Sequence, residues 1–97
     1  MRVLLADDEV TISVTLSDAL EEAGFEVVTA PDTDAALAAL VEHEVDLVLT
    51  DIRMPGAGGM AVLERSVELD AERPVIIMTG FAAMEDAAKA VSMGAKF

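Results

Sequence analysis

Residues 46–55 have the sequence DLVLTDIRMP, and this stretch is the most informative about the fold of the chain. The apolar run Leu47–Thr50 has the length of a strand and ends at Asp51, which is typical of a strand buried on both faces of a sheet. The glycine-rich stretch Met54–Gly59 predicts a loop, and apolar residues recur at helical spacing from about Met60 to Leu69. This part of the sequence therefore predicts one β-strand followed by one α-helix.

The same unit of a strand and a helix occurs four times in the chain. The other three predicted strands are Val3–Ala6, Glu26–Ala30 and Val75–Met78. The other three predicted helices are Val10–Ala23, one with Asp32 or Thr33 as N-cap that carries Ala36, Leu37, Leu40 and Val41, and Ala82–Met93. Apolar strands that alternate with helices predict an α/β fold, with an open parallel sheet, right-handed crossovers and helices on both faces.

The composition excludes several classes of function. Among its 97 residues the chain has 19 acidic and 6 basic ones, for a formal net charge of −13, and so acidic a surface repels nucleic acids and anionic lipids. Because it has no cysteine, it has no disulfide, no thiolate metal site and no cysteine nucleophile. Its apolar runs are too short to span a bilayer, and its beginning turns acidic at Asp7, too early for a signal peptide. We therefore expect one small cytoplasmic domain that binds neither nucleic acid nor membrane.

Polar side chains follow three of the predicted strands, where a ligand site is expected. Open parallel sheets bind ligands outside the carboxyl ends of their strands. The first strand is followed by Asp7, Asp8 and Glu9, the third by Asp51 and the fourth by Thr79. If these strands are neighbours, the side chains converge on one edge of the sheet. Capping of the first helix is a simpler role for Asp7 and Asp8, and it is compatible with metal binding.

Clustered carboxylates repel one another unless their charge is relieved. Protonation is one remedy, because each carboxylate raises the pKa of its neighbours. A hard divalent cation is the other, and oxygen ligands without imidazole or thiolate suit Mg²⁺ or Mn²⁺, with water molecules completing the coordination. A phosphoryl oxygen could replace one of those waters while a carboxylate attacks the phosphorus in line. The acidic pattern is thus compatible with a divalent metal site that could support phosphoryl transfer.

With these motifs the sequence resembles the response-regulator receiver domain, the phosphoacceptor half of two-component signalling. The matching motifs occur in the family's order, and they are Leu4–Glu9, Asp46–Pro55, Gly58–Gly59 and Pro74–Gly80. The resemblance covers residues 1–97 and implies a flavodoxin-like, doubly wound sheet with strand order 2-1-3-4. The family's fifth strand and helix are missing, so the resemblance implies a receiver domain that is incomplete at its C-terminus.

The resemblance also implies a role for each site residue. Asp51 would accept the phosphoryl group and would also bind the metal. Asp8 would be a direct Mg²⁺ ligand, with Asp7 beside it, directly or through water. The backbone carbonyl of Arg53 would be a further ligand. Thr79 would hydrogen-bond the phosphoryl group and move towards it on phosphorylation, which is the family's switch.

Three departures from the family's pattern affect these expectations. Gly58 stands where the family often has Asp, which predicts a change in loop flexibility. The family's Lys-Pro pair is missing, and Lys96 is not assigned its role because Phe97 follows it. The fifth strand is missing too, which would leave Val75–Met78 as an exposed sheet edge. We therefore expect the chain to be unstable, to associate through this edge or through the last helix, for example as a homodimer, or to be part of a longer protein.

The leading hypothesis is a Mg²⁺-dependent switch that receives a phosphoryl group on Asp51 from a histidine kinase or a phosphotransfer protein and regulates a downstream output. Such a chain is not an enzyme with a separate substrate, although it assists its own phosphorylation and dephosphorylation. One alternative is an interaction module with the same fold that works without phosphorylation, which the missing lysine favours and the complete set of acids opposes. The other alternative is a metal-dependent phosphohydrolase, and it is disfavoured because its motif is Asp-x-Asp, whereas Asp7 and Asp8 are adjacent.

Overall fold

The computed structural model describes residues 1–78, in which strands and helices alternate. The elements are β1 (Arg2–Ala6), α1 (Val10–Glu22), β2 (Glu26–Ala30), α2 (Thr33–Glu42), β3 (Leu47–Asp51), α3 (Gly59–Leu69) and β4 (Val75–Met78). Each element predicted within this part of the chain is present, and the ends differ from the predicted ones by about one residue, which is the usual uncertainty of helix and strand ends. Thr79 and the predicted helix Ala82–Met93 lie outside the described residues.

The four strands form one parallel sheet in the order β2-β1-β3-β4, which confirms the predicted order. In the register, Ala6 at the end of β1 pairs with Ala30 of β2 on one side and with Thr50 of β3 on the other. Asp51, the last residue of β3, pairs with Met78, the last residue of β4. The carboxyl ends of all four strands therefore lie along one edge of the sheet. Within residues 1–78, β4 pairs with β3 alone.

The centre of the sheet is buried on both faces. Four consecutive residues of β1, Val3–Ala6, have no exposed surface. Leu4 and Ala6 belong to a core that α2 and α3 cover, and its helical members include Ala36, Leu40, Val62 and Leu63. Because side chains alternate along a strand, Val3 and Leu5 point to the opposite face. Helix α1 contacts β1 and β2 and contributes no residue to the α2–α3 core, so helices flank the sheet on both sides, as predicted.

Helix α2 begins with a side-chain cap, whereas α1 does not. The carboxylate of Asp32 accepts a hydrogen bond from the amide of Ala35 at 2.8 Å, which satisfies one of the free N–H groups of the first turn. Of the two N-cap residues predicted for α2, the structure therefore selects Asp32. Glu9 stands at the N-cap of α1 and makes no such bond, so neither Asp7 nor Asp8 caps that helix. The helices within residues 1–78 do not include one with the length and hydropathy of a membrane span.

Candidate metal centre

Three carboxylates meet at the carboxyl edge of the sheet. Asp7 and Asp8 follow β1, and Asp51 ends β3. Because Ala6 pairs with Thr50, the register places Asp7 beside Asp51. One carboxylate oxygen from each of the three aspartates lies within 4.8 Å of the others. Sequence reasoning placed these acids on one edge, and the structure brings them together. Among the described residues, Glu9 is not a member of this group.

The three carboxylates differ in exposure and in the way the backbone holds them. Asp7 is buried, with 4% of its surface exposed, and its carboxylate accepts a hydrogen bond from the amide of Glu9 at 2.9 Å. Asp51 is half-buried, and its carboxylate accepts a hydrogen bond from the amide of Arg53 at 3.2 Å. Asp8 is exposed. The backbone thus orients two of the acids, and solvent reaches the third.

The environment of Asp51 disfavours its negative charge. Burial raises the pKa of the Asp51 carboxyl above its ordinary value, and the charges of Asp7 and Asp8 raise it further, although the hydrogen bond from the Arg53 amide acts in the opposite direction. Neither of the two salt bridges found within residues 1–78 involves these aspartates. In this part of the chain, the negative charge of the site is therefore not neutralised by a direct ion pair.

An open cleft gives access to the acids. It has a volume of about 430 Å³ and is lined by Asp7, Asp8, Glu9, Ile12, Asp51, Arg53 and Met78. Met78 is the last described residue before Thr79, whose expected contact with a phosphoryl group stays a prediction. The cleft is large enough to admit a small phosphorylated group beside the carboxylate of Asp51.

The donor set fits a hard divalent cation. Three carboxylates offer oxygen ligands within reach of one another, and oxygen ligands are those that Mg²⁺ and Mn²⁺ prefer. Burial, together with the charges of Asp7 and Asp8, raises the pKa of Asp51, and a cation bound by the acids would favour the charged form of this carboxyl. These three residues could therefore hold a metal. The amide of Arg53 is bonded to Asp51, which places the residue beside the acids, and the role of its carbonyl as a ligand stays a prediction.

The loop after β3 shows what the sequence did not predict. The change in loop flexibility expected at Gly58 stays a prediction. Its backbone has a φ of +85°, and a Cβ there would lie 2.9 Å from the carbonyl oxygen of Ile52, so glycine fits this position. The hydroxyl of Thr33, considered only as a helix cap, instead bonds to Pro55 and Gly58. The sequence has no local signal for these contacts, because Thr33 is 22 and 25 residues away from its two partners.

Known proteins are similar to this chain over almost its whole length. A family model of the response regulator receiver domain matches residues 3–96. The C4-dicarboxylate transport transcriptional regulatory protein DctD of Rhizobium meliloti is 36% identical over 93 residues, which make up 96% of this chain and 20% of that protein. The chain thus spans about a fifth of the length of this relative.

Two solved structures show the same architecture. A CheY-like response regulator receiver domain protein from Methanospirillum hungatei has a TM-score of 0.92 at 31% identity, over 97% of this chain and 75% of the other. A response regulator protein from Burkholderia pseudomallei has a TM-score of 0.89 at 26% identity, over 97% of this chain and 55% of the other. The latter structure contains a phosphorylated aspartic acid, a calcium ion and citrate.

Proposed function

The chain belongs to the response regulator receiver domain family, and we propose that it is a phosphoacceptor switch in two-component signalling. Asp51 accepts a phosphoryl group from the phosphohistidine of a histidine kinase or a phosphotransfer protein, and the phosphorylated chain regulates a downstream output. The observation that carries this proposal is the convergence of Asp7, Asp8 and Asp51 at the end of the sheet, with the pKa of Asp51 raised.

The proposed cofactor is Mg²⁺, with Mn²⁺ as a possible substitute. Asp7, Asp8, Asp51 and the backbone carbonyl of Arg53 would hold it. When bound, the cation offsets the negative charges of the acids and of the phosphoryl group. The oxygen-only donor set and the lack of an ion pair to the acids within residues 1–78 support this choice.

In the proposed reaction the carboxylate of Asp51 is the nucleophile. One of its oxygens attacks the phosphorus in line, the new O–P bond forms, and the N–P bond to the donor imidazole breaks. The electron pair of the N–P bond stays on the imidazole nitrogen, and the ring leaves as neutral imidazole because its other nitrogen carries a proton taken from water. The amide of Arg53, bonded to one Asp51 oxygen at 3.2 Å, restricts rotation of the carboxylate and thus helps to orient the attacking group.

Under this proposal the chain is a substrate of phosphotransfer rather than an enzyme with a separate substrate, and it assists its own phosphorylation and dephosphorylation. Thr79 is the proposed contact of the phosphoryl group that relays the change. DctD is a transcriptional regulatory protein that is about five times as long as the matched region.

Intact-mass measurement tests the proposal. After incubation with acetyl phosphate and Mg²⁺, we expect the mass of one phosphoryl group to be added to the wild-type chain, and we expect no addition for Asp51→Asn or in the presence of a chelator. Asp34→Asn, which removes an exposed acid in the first turn of α2, is the matched control and should be phosphorylated normally. Equal phosphorylation of Asp51→Asn would contradict the proposal. An unmodified wild type that is folded would favour the interaction module that works without phosphorylation.

A further inference from the structure

The loop between β3 and α3 is tied to the beginning of α2 by one side chain. Thr33, the first residue of α2, is buried, with 1% of its surface exposed. Its hydroxyl donates a hydrogen bond to the carbonyl oxygen of Pro55 at 3.0 Å and accepts one from the amide of Gly58 at 2.8 Å. The backbone amide of Thr33 also donates to the Pro55 carbonyl, at 3.2 Å. A single threonine therefore holds both ends of the turn at residues 55–58.

The glycines of this loop allow it to lie so close to α2. A Cβ at Gly56 would lie 3.1 Å from the Cβ of Thr33 and 3.2 Å from its hydroxyl oxygen, so a side chain there would press on Thr33. Gly56 and Gly58 both have a positive φ, of +96° and +85°, which other residues rarely adopt. The amide of Gly59 donates to the carbonyl of Ile52 at 2.8 Å and closes the loop at its base. The loop is a tight turn with Thr33 as its attachment to α2.

The same loop borders the candidate metal centre. It lines a second cleft, of about 470 Å³, which shares Asp8 and Arg53 with the cleft that contains the three acids. Arg53, near the start of the loop, donates its amide to Asp51. A displacement of the turn at residues 55–58 would therefore be transmitted along a few residues of backbone to the residue that stands beside the acids.

We propose that Thr33 is a positioning residue of the metal centre, because its hydroxyl holds the loop of residues 52–58 in the conformation that binds Mg²⁺. This inference rests on the proposed function, in which Arg53 supplies a carbonyl ligand. A loop that is already held in place loses little conformational freedom when the cation binds, whereas a free loop must be ordered at the expense of affinity. Groups that orient metal ligands without contacting the metal commonly have a large effect on affinity.

The test compares two substitutions of Thr33 in the full chain. Thr33→Val keeps the shape and the backbone amide but removes the hydroxyl, and we expect the dissociation constant for Mg²⁺, measured by titration calorimetry, to rise about tenfold. Thr33→Ser keeps the hydroxyl, and we expect it to restore an affinity close to that of the wild type. Ser66→Ala is the matched control, because it removes another buried hydroxyl, in the second half of α3. The hydroxyl of Ser66 accepts a hydrogen bond from Arg73 at 3.3 Å. Ser66→Ala should leave the affinity for Mg²⁺ unchanged.

A second measurement does not require the metal. Hydrogen exchange should show the amide of Gly58 protected in the wild type and in Thr33→Ser, and exposed to exchange in Thr33→Val. If Thr33→Val fails to fold, rapid exchange of the Gly58 amide in the folded wild type still overturns the inference, and strong protection supports it.

The outcomes separate this inference from the proposed function. A wild type that binds no Mg²⁺ contradicts the proposed function and the inference together. A wild type that binds Mg²⁺ and is matched by Thr33→Val contradicts the inference alone. If Ser66→Ala loses as much affinity for Mg²⁺ as Thr33→Val, the inference is also contradicted, because the effect would then reflect the general stability of the chain.

Discussion

At the scale of single residues, Asp51 couples protonation to folding. Burial and the charges of Asp7 and Asp8 raise its pKa in the folded chain. Between the ordinary pKa of aspartate, about 3.9, and the raised value, the folded chain therefore binds more protons than the unfolded chain. The contribution of Asp51 to the free energy of unfolding consequently falls as the pH rises through this window, and Asp51 is unfavourable to folding above it.

We therefore expect Asp51→Asn to be more stable than the wild type at pH 7 when divalent cations are removed by a chelator. The difference should disappear as the pH falls below about 3.9, because Asp51 is then protonated in both states. Urea unfolding at several pH values measures it, and Asp34→Asn provides the comparison with an exposed acid. Two results would contradict the conclusion that the charged form of Asp51 opposes folding. One is an Asp51→Asn variant that is less stable than the wild type at pH 7, and the other is a stability difference that grows as the pH falls.

Individual residues also show which parts of the site are predictable from sequence. Asp7, Asp8 and Asp51 were predictable because each follows an apolar run, and the ends of parallel strands meet at one edge. The hydrogen bonds of Thr33 were not predictable, because they depend on a loop conformation set by Gly56 and Gly58. A hydroxyl at the start of a helix indicates a cap in most contexts, and here the adjacent aspartate takes that role.

At the scale of elements, the start of α2 has two separate functions in neighbouring residues. Asp32 caps the helix through the Ala35 amide, while Thr33 attaches the loop that follows β3. The helices and strands themselves were predicted well because apolar spacing is a local property of the sequence. Their order in the sheet is not local, and it was predicted from the resemblance to a known family rather than from spacing.

We expect Asp32→Ala to lower the free energy of unfolding by about 1 kcal/mol, since the amide of Ala35 loses its acceptor. Asp32→Asn should be close to the wild type, because an asparagine side chain also accepts this hydrogen bond. Urea unfolding of the three chains measures both effects. If Asp32→Asn were as destabilised as Asp32→Ala, the charge of Asp32 rather than its hydrogen bond would be responsible, and the cap would not explain the start of α2.

In the whole molecule, the parallel sheet brings acids that are distant in sequence together in one site. Asp7 and Asp51 are far apart in sequence, and the pairing of Ala6 with Thr50 makes them neighbours. The net charge of −13 adds a general cost to bringing an anionic phosphoryl group to this surface. A cation bound by the three acids would offset that cost locally, at the edge of the sheet where the proposed phosphoryl transfer takes place.

Asp51 is the proposed phosphoryl acceptor, and chemical mapping of the modified residue tests this role. The chain is incubated with acetyl phosphate and Mg²⁺ and then treated with borohydride, which reduces an aspartyl phosphate to homoserine. The digested chain is sequenced by mass spectrometry beside a sample that received no acetyl phosphate. We expect homoserine at position 51, and only after phosphorylation. Homoserine at position 7 or 8, or a phosphoryl group retained on a hydroxyl side chain, would contradict it.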